Sequence, residues 1–216
     1  MMDSIYLVRH TTPAVPRGIC YGQTDLDVTE SFHAETRVIR QHLPASILAV
    51  YSSPLKRCAL LAKELFPDRP LYLRDELMEI HCGQWEMRAW DDLPKDEIDP
   101  WMTDFVQVRI PGGESYLDLH ARVTGCWNNI SAQRGQSSDL GETTPADKAI
   151  VAHGGVIRSI LCAISATPLI DSFTTFSLHY GCVIRVFRDD GRWRYEILSN
   201  PAPSEKEQHK PRSFYK

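Results

Sequence analysis

The sequence has no surplus of positive charge and no long apolar run. Lys and Arg number 24 against 28 Asp and Glu, which gives a formal net charge of −4 at pH 7. Proteins that bind nucleic acid through its phosphates normally carry a basic face. The balance of charges here therefore argues against a nucleic-acid-binding protein. No stretch approaches the roughly 18 apolar residues of a membrane span, and the first residues lack the pattern of a secretory signal. We therefore expect a cytoplasmic protein with neither a nucleic-acid partner nor a membrane partner.

Several motifs of cofactor and nucleophile chemistry are also missing. The six cysteines include no CxxC pair, and we interpret them as reduced thiols, several of them buried. The chain has no GxxxxGK[ST] loop, no GxGxxG after a strand and no GxSxG elbow. Two carboxylate pairs, Asp25 with Asp27 and Asp91 with Asp92, are interpreted as surface loop charge. The sequence thus predicts neither a metal nor a cofactor.

What the chain does contain is the composition of an ordinary globular protein. Of its 216 residues, 43% are hydrophobic and 24% are charged. A chain of this size can bury enough surface to fold without disulfide or metal staples. We expect one domain over residues 1–199, with an excursion at about 84–112, and a flexible tail at 200–216, where proline and charge are frequent.

The order of elements predicts an α/β fold. Short apolar runs at 4–8, 47–51, 71–73 and 149–152 indicate buried strands, and 182–188 with 192–198 indicate a hairpin around Asp189-Asp190-Gly191. Helices are predicted at 31–43, 54–66, 156–165 and from a Ser115–Asp118 capping box to about residue 130. Ser53 and Pro54 are expected to cap and to begin the helix at 54–66. A polar surface loop is expected at 134–147. The alternation predicts a three-layer α/β/α sandwich with a mostly parallel central sheet.

Three of the predicted strands are followed at once by cationic or titratable side chains. Arg9 and His10 follow the first strand, Arg57 follows the second within one turn, and His153 follows the strand at 149–152. Ligands of open α/β sheets bind beyond the carboxyl ends of the strands. If these strands are neighbours, the four side chains meet, and an anion must be shared between them. Arginine suits bidentate contact with phosphate, so a phosphoryl group is the predicted ligand.

Five spaced motifs carry a resemblance to a known family. They occur in the order Leu-Val-Arg9-His10, Tyr51-Ser-Ser-Pro-Leu-Lys-Arg57, Glu79-Ile-His-Cys-Gly83-Gln-Trp85-Glu86, Gly113-Glu114-Ser115 and Val-Ala-His153-Gly154-Gly155. From residue 4 to about 160, the chain resembles the histidine phosphatase (phosphoglycerate mutase-like) superfamily. The resemblance implies the fold predicted above and a phosphatase or mutase that acts through a phosphohistidine.

The resemblance also implies roles for individual residues. His10 would be the nucleophile, and Arg9, Arg57 and His153 would hold the phosphate oxygens, with Gly154 beside them. Glu79 stands where the family keeps its general acid, which protonates the leaving alkoxide and later activates water. Glu86 is ranked below Glu79 and interpreted as a structural partner near Trp85.

The chain departs from the family's usual opening, in which Gly and Glu follow Arg-His and an Asn comes soon after. Thr11 stands in place of the Gly, so the backbone there must have an ordinary, negative φ. The Asn is absent, and its phosphate contact is expected from Arg17 or from the backbone at 21–23, with Gly22 and Gln23 as the predicted binding residues.

The variant opening resembles a branch of bacterial α-ribazole phosphatases, which implies α-ribazole 5′-phosphate as substrate. Phosphoglycerate mutase or a broad sugar-phosphate phosphatase is the alternative, although the short excursion favours hydrolysis, because a mutase must exclude water. A non-catalytic phospho-ligand binding protein is a second alternative. Trp85, Trp90, Trp101 and Phe105 either stack on the base of the substrate or form the apolar underside of the excursion. A homodimer through the edge of the C-terminal hairpin is possible on this pattern.

Overall fold

The computed structural model describes residues 4–133 and 147–202. The polar loop predicted at 134–147 lies outside the described residues except for its last position. The tail predicted at 200–216 lies outside them beyond residue 202. Within the described residues, no helix is both long and apolar enough to cross a bilayer.

Strands and helices alternate over most of the chain, as predicted. The strands are β1 (Ser4–Arg9), β2 (Ile47–Ser52), β3 (Leu71–Leu73), β4 (Asp147–Ala152), β5 (Val183–Asp189) and β6 (Arg192–Ser199). The helices are α1 (Phe32–Arg40), α2 (Lys56–Leu65), α3 (Lys95–Thr103), α4 (Tyr116–Ala132), α5 (Gly154–Ser165) and the short α6 (Ser172–Thr175).

The described strands form one sheet in the order β3-β2-β4-β1-β5-β6. β3, β2, β4 and β1 are parallel, whereas β5 and β6 are antiparallel to their neighbours. The predicted hairpin is confirmed, and Asp190 and Gly191 turn it with φ angles of 48° and 76°. Two successive positive φ angles suit a tight hairpin turn, which explains the Asp-Gly pair.

Alternate residues of the sheet bury into two different cores. Ile5 and Leu7 of β1 face a core formed with α4, α5 and the excursion, whereas Tyr6 and Val8 face a core formed with α1 and α2. Because side chains alternate across a strand, one apolar run can fill both cores. The predicted three-layer α/β/α sandwich with a mostly parallel sheet is therefore confirmed.

The two predicted helix starts have different outcomes. The Ser115–Asp118 capping box is present, with reciprocal side-chain and backbone hydrogen bonds at the start of α4. The prediction for α2 is wrong, because the helix begins at Lys56 rather than at Pro54. Ser53 Oγ does accept a hydrogen bond from the N–H of Leu55, at 3.3 Å, but its stronger partner is the ring of His153.

The excursion at 84–112 lies over the core of α4 and α5. Trp85, Trp101 and Phe105 are buried there with Tyr116 of α4, and Trp90 packs against them. Rings of Trp90 and Trp101 are stacked with centroids 5.8 Å apart. The excursion therefore brings an aromatic wall close to the carboxyl ends of the strands.

Candidate active site

The carboxyl ends of three neighbouring strands meet at one edge of the sheet. β4 pairs with both β1 and β2, and the N–H groups of His10 and Ser53 donate to the carbonyls of Ala152 and Val151, each at 3.1 Å. The rings of His10 and His153 lie edge to face with centroids 5.1 Å apart. The predicted meeting of these strand ends is observed.

The ring of His10 is held in one orientation by its own backbone neighbour. Nδ1 lies 2.7 Å from the carbonyl oxygen of Thr11. A carbonyl oxygen can only accept, so Nδ1 carries the proton and Nε2 of the neutral ring carries the lone pair. The neutral side chain thus has its nucleophilic nitrogen on the side away from this anchor. Thr11 itself is buried and has no positive φ, which confirms the expectation for its backbone.

His153 is fully buried behind His10 and stays neutral. Burial lowers its pKa well below the ordinary value, and the charge of Arg57, that of His10 when it is protonated, and that of Arg9 lower it further. Ser53 Oγ lies 2.8 Å from its Nε2. An incoming dianion would reverse this balance, because a negative charge beside the ring favours the imidazolium.

The thiol of Cys58 lies 3.5 Å from His153 Nε2. Burial raises the pKa of Cys58 to about 12. A thiol with such a pKa is not ionised at neutral pH and is a poor nucleophile.

Arg9 is held by the loop that precedes β5. Its Nη1 donates to the carbonyl of Leu178 at 2.6 Å, and its guanidinium carbon lies 4.1 Å from the ring centre of Tyr180. Tyr180 also contacts the ring of His10, with centroids 5.4 Å apart. Sequence reasoning did not find Tyr180, because nothing in the local pattern marks this loop as close to β1.

Arg57 is completely buried and is bound to the loop at 22–24. Its Nη1 and Nη2 donate to the carbonyls of Thr24 and Gly22, at 2.9 and 2.6 Å. Its Nε is buried and has no hydrogen-bond partner among the described residues. A buried donor without a partner is costly, so this N–H is the group through which Arg57 could take a phosphate oxygen.

Glu79 is placed against the first turn of α5. Its Oε2 accepts a hydrogen bond from the N–H of Gly155 at 3.0 Å, and its Oε1 accepts one from the N–H of Ile80 at 3.0 Å. A Cβ on Gly155 would lie 2.3 Å from Oε1, so only glycine leaves room for the carboxyl group. Each oxygen keeps a lone pair for a proton, as a general acid and base requires.

The backbone that carries Glu79 is organised by Arg122 of α4. Arg122 donates to the carbonyls of Glu76, Met78 and Glu79 at 2.7–2.9 Å. It also pairs with both carboxylate oxygens of Glu114, at 2.8 Å each. Arg122 was not predicted, although its partner Glu114 belongs to one of the five motifs.

Glu86 fastens the loop at 22–24 to the excursion. Its carboxylate accepts hydrogen bonds from the N–H groups of Gly22, Gln23, Thr24 and Cys82 and from the Thr24 hydroxyl. Burial would raise its pKa, but these hydrogen bonds outweigh burial and lower it. Glu86 is therefore an ionised structural anchor.

This anchor corrects one expectation for the phosphate site. The N–H groups of Gly22 and Gln23 already bond to Glu86, so they do not replace the missing asparagine. Gly22 instead holds Arg57 through its carbonyl, and Gln23 reaches the carbonyl of Glu79 through Nε2 at 3.0 Å. Arg17, the other candidate, is exposed.

A cavity of about 150 Å³ opens beside these groups. Arg9, His10, Glu79 and Gly154 lie on its wall, whereas Arg57 and His153 are not among the residues that line it. The rest of the wall is largely aromatic and comes from the excursion, α4, α5 and α6, with Tyr21, Trp90, Trp101, Phe105, Tyr116, Arg158 and Phe173. Trp85 is not on the wall, and its indole N–H donates to Glu97 at 2.8 Å. Trp85 is thus part of the apolar underside of the excursion, whereas Trp90, Trp101 and Phe105 line the cavity.

Known proteins are similar to this chain in both sequence and fold. The model of the histidine phosphatase superfamily (branch 1) matches residues 5–201. Putative phosphoserine phosphatase 2 of Hydrogenobacter thermophilus is 27% identical over 176 residues, which cover 78% of this chain and 81% of that protein. The adenosylcobalamin/alpha-ribazole phosphatase of Salmonella typhimurium is 26% identical over 207 residues, which cover 92% and 96%.

A solved structure has the same fold as this chain. The alpha-ribazole phosphatase from Shigella flexneri superposes with a TM-score of 0.76 at 21% identity, covering 93% of this chain and 98% of that one. The family match over almost the whole described chain confirms the resemblance found in the sequence. The chain belongs to the histidine phosphatase superfamily, branch 1, and it is an enzyme of the phosphatase type.

Proposed function

We propose that this protein hydrolyses a phosphate monoester through a phosphohistidine at His10, and that α-ribazole 5′-phosphate is its substrate. The observation that carries the mechanism is the hydrogen bond from His10 Nδ1 to the carbonyl of Thr11, at 2.7 Å. It fixes the tautomer in which Nε2 holds the lone pair. Arg9 and the carboxyl group of Glu79 lie with His10 on the wall of the same cavity.

In the first step, Nε2 of His10 attacks phosphorus and forms the N–P bond while the P–O bond to the leaving group breaks. Arg9, Nε of Arg57 and His153 stabilise the charge on the phosphoryl oxygens. The electron pair of the broken bond goes to the leaving oxygen, which takes a proton from Glu79. An alkoxide is a poor leaving group, so this proton transfer is essential for an ordinary sugar phosphate.

In the second step, a water molecule attacks phosphorus and gives its proton to the Glu79 carboxylate. The N–P bond breaks, its electron pair returns to Nε2, and inorganic phosphate leaves. Glu79 is then protonated again and His10 is neutral, so the cycle closes. The hydrogen bond from the N–H of Gly155 holds the Glu79 carboxyl group at the start of α5. This supports our proposal that Glu79 carries out both proton transfers from one position.

The aromatic wall supports the substrate assignment. Trp90 and Trp101 are stacked on each other and both line the cavity, with Phe105 and Phe173 beside them. Flat aromatic side chains suit the benzimidazole base of α-ribazole, since offset stacking adds to the burial of apolar surface. The match to an adenosylcobalamin/alpha-ribazole phosphatase, over 92% of this chain, also supports it. The buried free thiols of the described chain are in keeping with our proposal that the reaction takes place in the cytoplasm.

The test is phosphate release from α-ribazole 5′-phosphate by purified protein, with glucose 6-phosphate and glycerol 3-phosphate as comparison substrates. We expect the highest kcat/KM for α-ribazole 5′-phosphate and loss of turnover in His10→Ala. Turnover that survives in His10→Ala, with folding intact, would overturn the mechanism. Equal, weak hydrolysis of all three substrates that still needs His10 would overturn the substrate alone, and binding without turnover would favour the non-catalytic alternative.

A further inference from the structure

The hydroxyl groups of Tyr21 and Tyr180 are hydrogen-bonded to each other beside the candidate site, with their oxygens 2.7 Å apart. Tyr21 comes from the loop that follows Cys20 and lies on the wall of the cavity with His10 and Glu79. Tyr180 comes from the loop before β5, is only 5% exposed, and is not among the residues that line the cavity. The proposed mechanism uses neither hydroxyl group.

The two tyrosine rings lie against the two arginines of the site. The guanidinium carbon of Arg9 is 4.1 Å from the ring centre of Tyr180, and that of Arg57 is 5.4 Å from the ring centre of Tyr21. Burial raises the pKa of Tyr21 and outweighs the two arginines and the hydrogen bond with Tyr180, which lower it. Tyr21 therefore keeps its proton at neutral pH, and its hydroxyl is a donor in the same positive field that attracts a phosphoryl group.

The hydroxyl pair carries one hydrogen more than its own bond uses. Two hydroxyl groups have two hydrogens, and the bond between Tyr21 and Tyr180 takes one of them. The oxygen that accepts this bond directs its own hydrogen to another acceptor. Because a hydroxyl hydrogen rotates to suit its partners, an anion in the cavity selects the arrangement in which Tyr180 donates and Tyr21, on the wall, accepts. Accepting a hydrogen bond also makes Tyr21 a stronger donor.

The loop that carries Tyr21 is fixed directly after this residue. The N–H groups of Gly22 and Gln23 donate to the carboxylate of Glu86 at 3.0 and 2.8 Å, so they are engaged and also hold the loop in place. The phosphate contact predicted for this backbone therefore needs another donor. A neutral hydroxyl supplies one without adding a further positive charge to a site that already holds two guanidinium groups.

We propose that the Tyr21 hydroxyl donates a hydrogen bond to an oxygen of the phosphoryl group, with Tyr180 as the donor behind it. This inference rests on the proposed function, because the phosphoryl group is the one that His10 attacks. The contact is with the part that all substrates share, rather than with the leaving group. Tyr21 thereby supplies the contact that the absent asparagine leaves open.

The test compares two variants that break the same hydrogen bond. Tyr21→Phe and Tyr180→Phe each remove one hydroxyl and keep both rings, so a purely structural role of the bond would make their effects equal. The Kd of inorganic phosphate, measured by isothermal titration calorimetry, should rise about 10- to 100-fold in Tyr21→Phe, the range of one hydrogen bond to a charged acceptor. The rise should be much smaller in Tyr180→Phe, because Tyr21 keeps its hydrogen and loses only the strengthening by its neighbour.

A third tyrosine provides the matched control. Tyr72 is 42% exposed on the edge strand β3, so Tyr72→Phe should bind phosphate as the wild type does. Turnover gives a second readout with the same variants. A contact with the phosphoryl group is common to all substrates, so Tyr21→Phe should lower kcat/KM by similar factors for p-nitrophenyl phosphate and glycerol 3-phosphate.

Three results would overturn the inference. Equal losses of phosphate affinity in Tyr21→Phe and Tyr180→Phe would reduce the pair to a structural link. Unchanged phosphate affinity in Tyr21→Phe would remove the contact altogether. Unequal losses of kcat/KM for the two substrates, with phosphate affinity unchanged, would place Tyr21 on the leaving group. If the wild type binds phosphate but hydrolyses no ester, the proposed function fails, and the comparison of Kd values still supports or overturns the inference. If the wild type neither binds phosphate nor hydrolyses an ester, both fail.

Discussion

Substitution of Gly155 by alanine should lower the rate of catalysis while leaving the stability of the fold almost unchanged. A Cβ at this position would lie 2.3 Å from Oε1 and 3.2 Å from Cδ of Glu79, far inside van der Waals contact. The nearest atom is the end of a flexible side chain, so the carboxyl group moves while the backbone of α5 stays. We therefore expect Glu79 to be displaced by about 1 Å or more, and a misplacement of that size costs roughly 100-fold in rate.

The fold should tolerate the same change. Alanine has a better helix propensity than glycine, by up to about 1 kcal/mol, which offsets the small rearrangement around Glu79. Gly155→Ala should thus lower kcat for alkyl phosphates about 100-fold with little change in the free energy of unfolding measured in urea. Gly125→Ala is the matched control, because nothing lies within 4 Å of a Cβ there. It should stabilise α4 by roughly 0.5–1 kcal/mol and leave kcat unchanged.

A substrate with a good leaving group sharpens this experiment. Nitrophenolate leaves without a proton from an acid, so Gly155→Ala should still be phosphorylated rapidly by p-nitrophenyl phosphate. Hydrolysis of the phosphohistidine still needs Glu79 as base, so stopped-flow absorbance should record a burst followed by slow turnover. Wild-type turnover of alkyl phosphates by Gly155→Ala would refute the assignment of Glu79 as the acid.

Three further predictions follow from the contacts of the site. Glu86→Gln replaces an ionised acceptor of several N–H hydrogen bonds. It should lower the free energy of unfolding measured in urea by about 1–3 kcal/mol and raise KM. Unchanged values of both would contradict the role of Glu86 as an anchor. Arg122→Met should lower kcat more than it raises KM and destabilise the fold by roughly 1–3 kcal/mol, because Glu114 and the backbone at 76–79 lose their partner. His153 has a depressed pKa when folded, so its contribution to stability is complete above the unfolded pKa of 6.5 and is lost as the pH falls below it. His153→Gln should therefore reduce the drop in unfolding free energy between about pH 7.5 and about pH 5.5, and an unchanged drop would argue against a neutral, buried ring.

Much of the fold follows from local signals that point the same way. The apolar runs that become β1, β2 and β4 are short and bounded by turn residues, and the capping box before α4 matches its reciprocal hydrogen bonds. The positions of His10 and His153 follow from the same signals, because parallel neighbouring strands end at one edge. The predicted start of α2 is wrong. A Ser-Pro pair commonly caps and begins a helix, whereas here the Ser53 hydroxyl is hydrogen-bonded to the ring of His153.

The rest of the site depends on contacts that no local pattern records. Glu86 and Glu79 stand in one motif, yet the tertiary fold alone decides that Glu86 faces backbone N–H groups and Glu79 faces α5. Arg158 resembles any charged residue one turn into a helix until burial and Gly154 place it beside Arg9. Tyr180 comes from a loop 170 positions away from His10, so spacing along the chain gives no hint of it.

The most direct test of the central claim is the location of the phosphoryl group on enzyme quenched during turnover. Glu79→Gln is mixed with p-nitrophenyl phosphate, whose leaving group needs no acid, and is quenched in alkali, in which phosphohistidine survives. Peptides are then mapped by mass spectrometry, with phosphorus NMR to assign the ring nitrogen. The account predicts one phosphoryl group, on Nε2 of His10, and none in His10→Ala. A phosphoryl group on His153 or Cys58, or turnover by the wild type with no phosphorylated peptide, would contradict it.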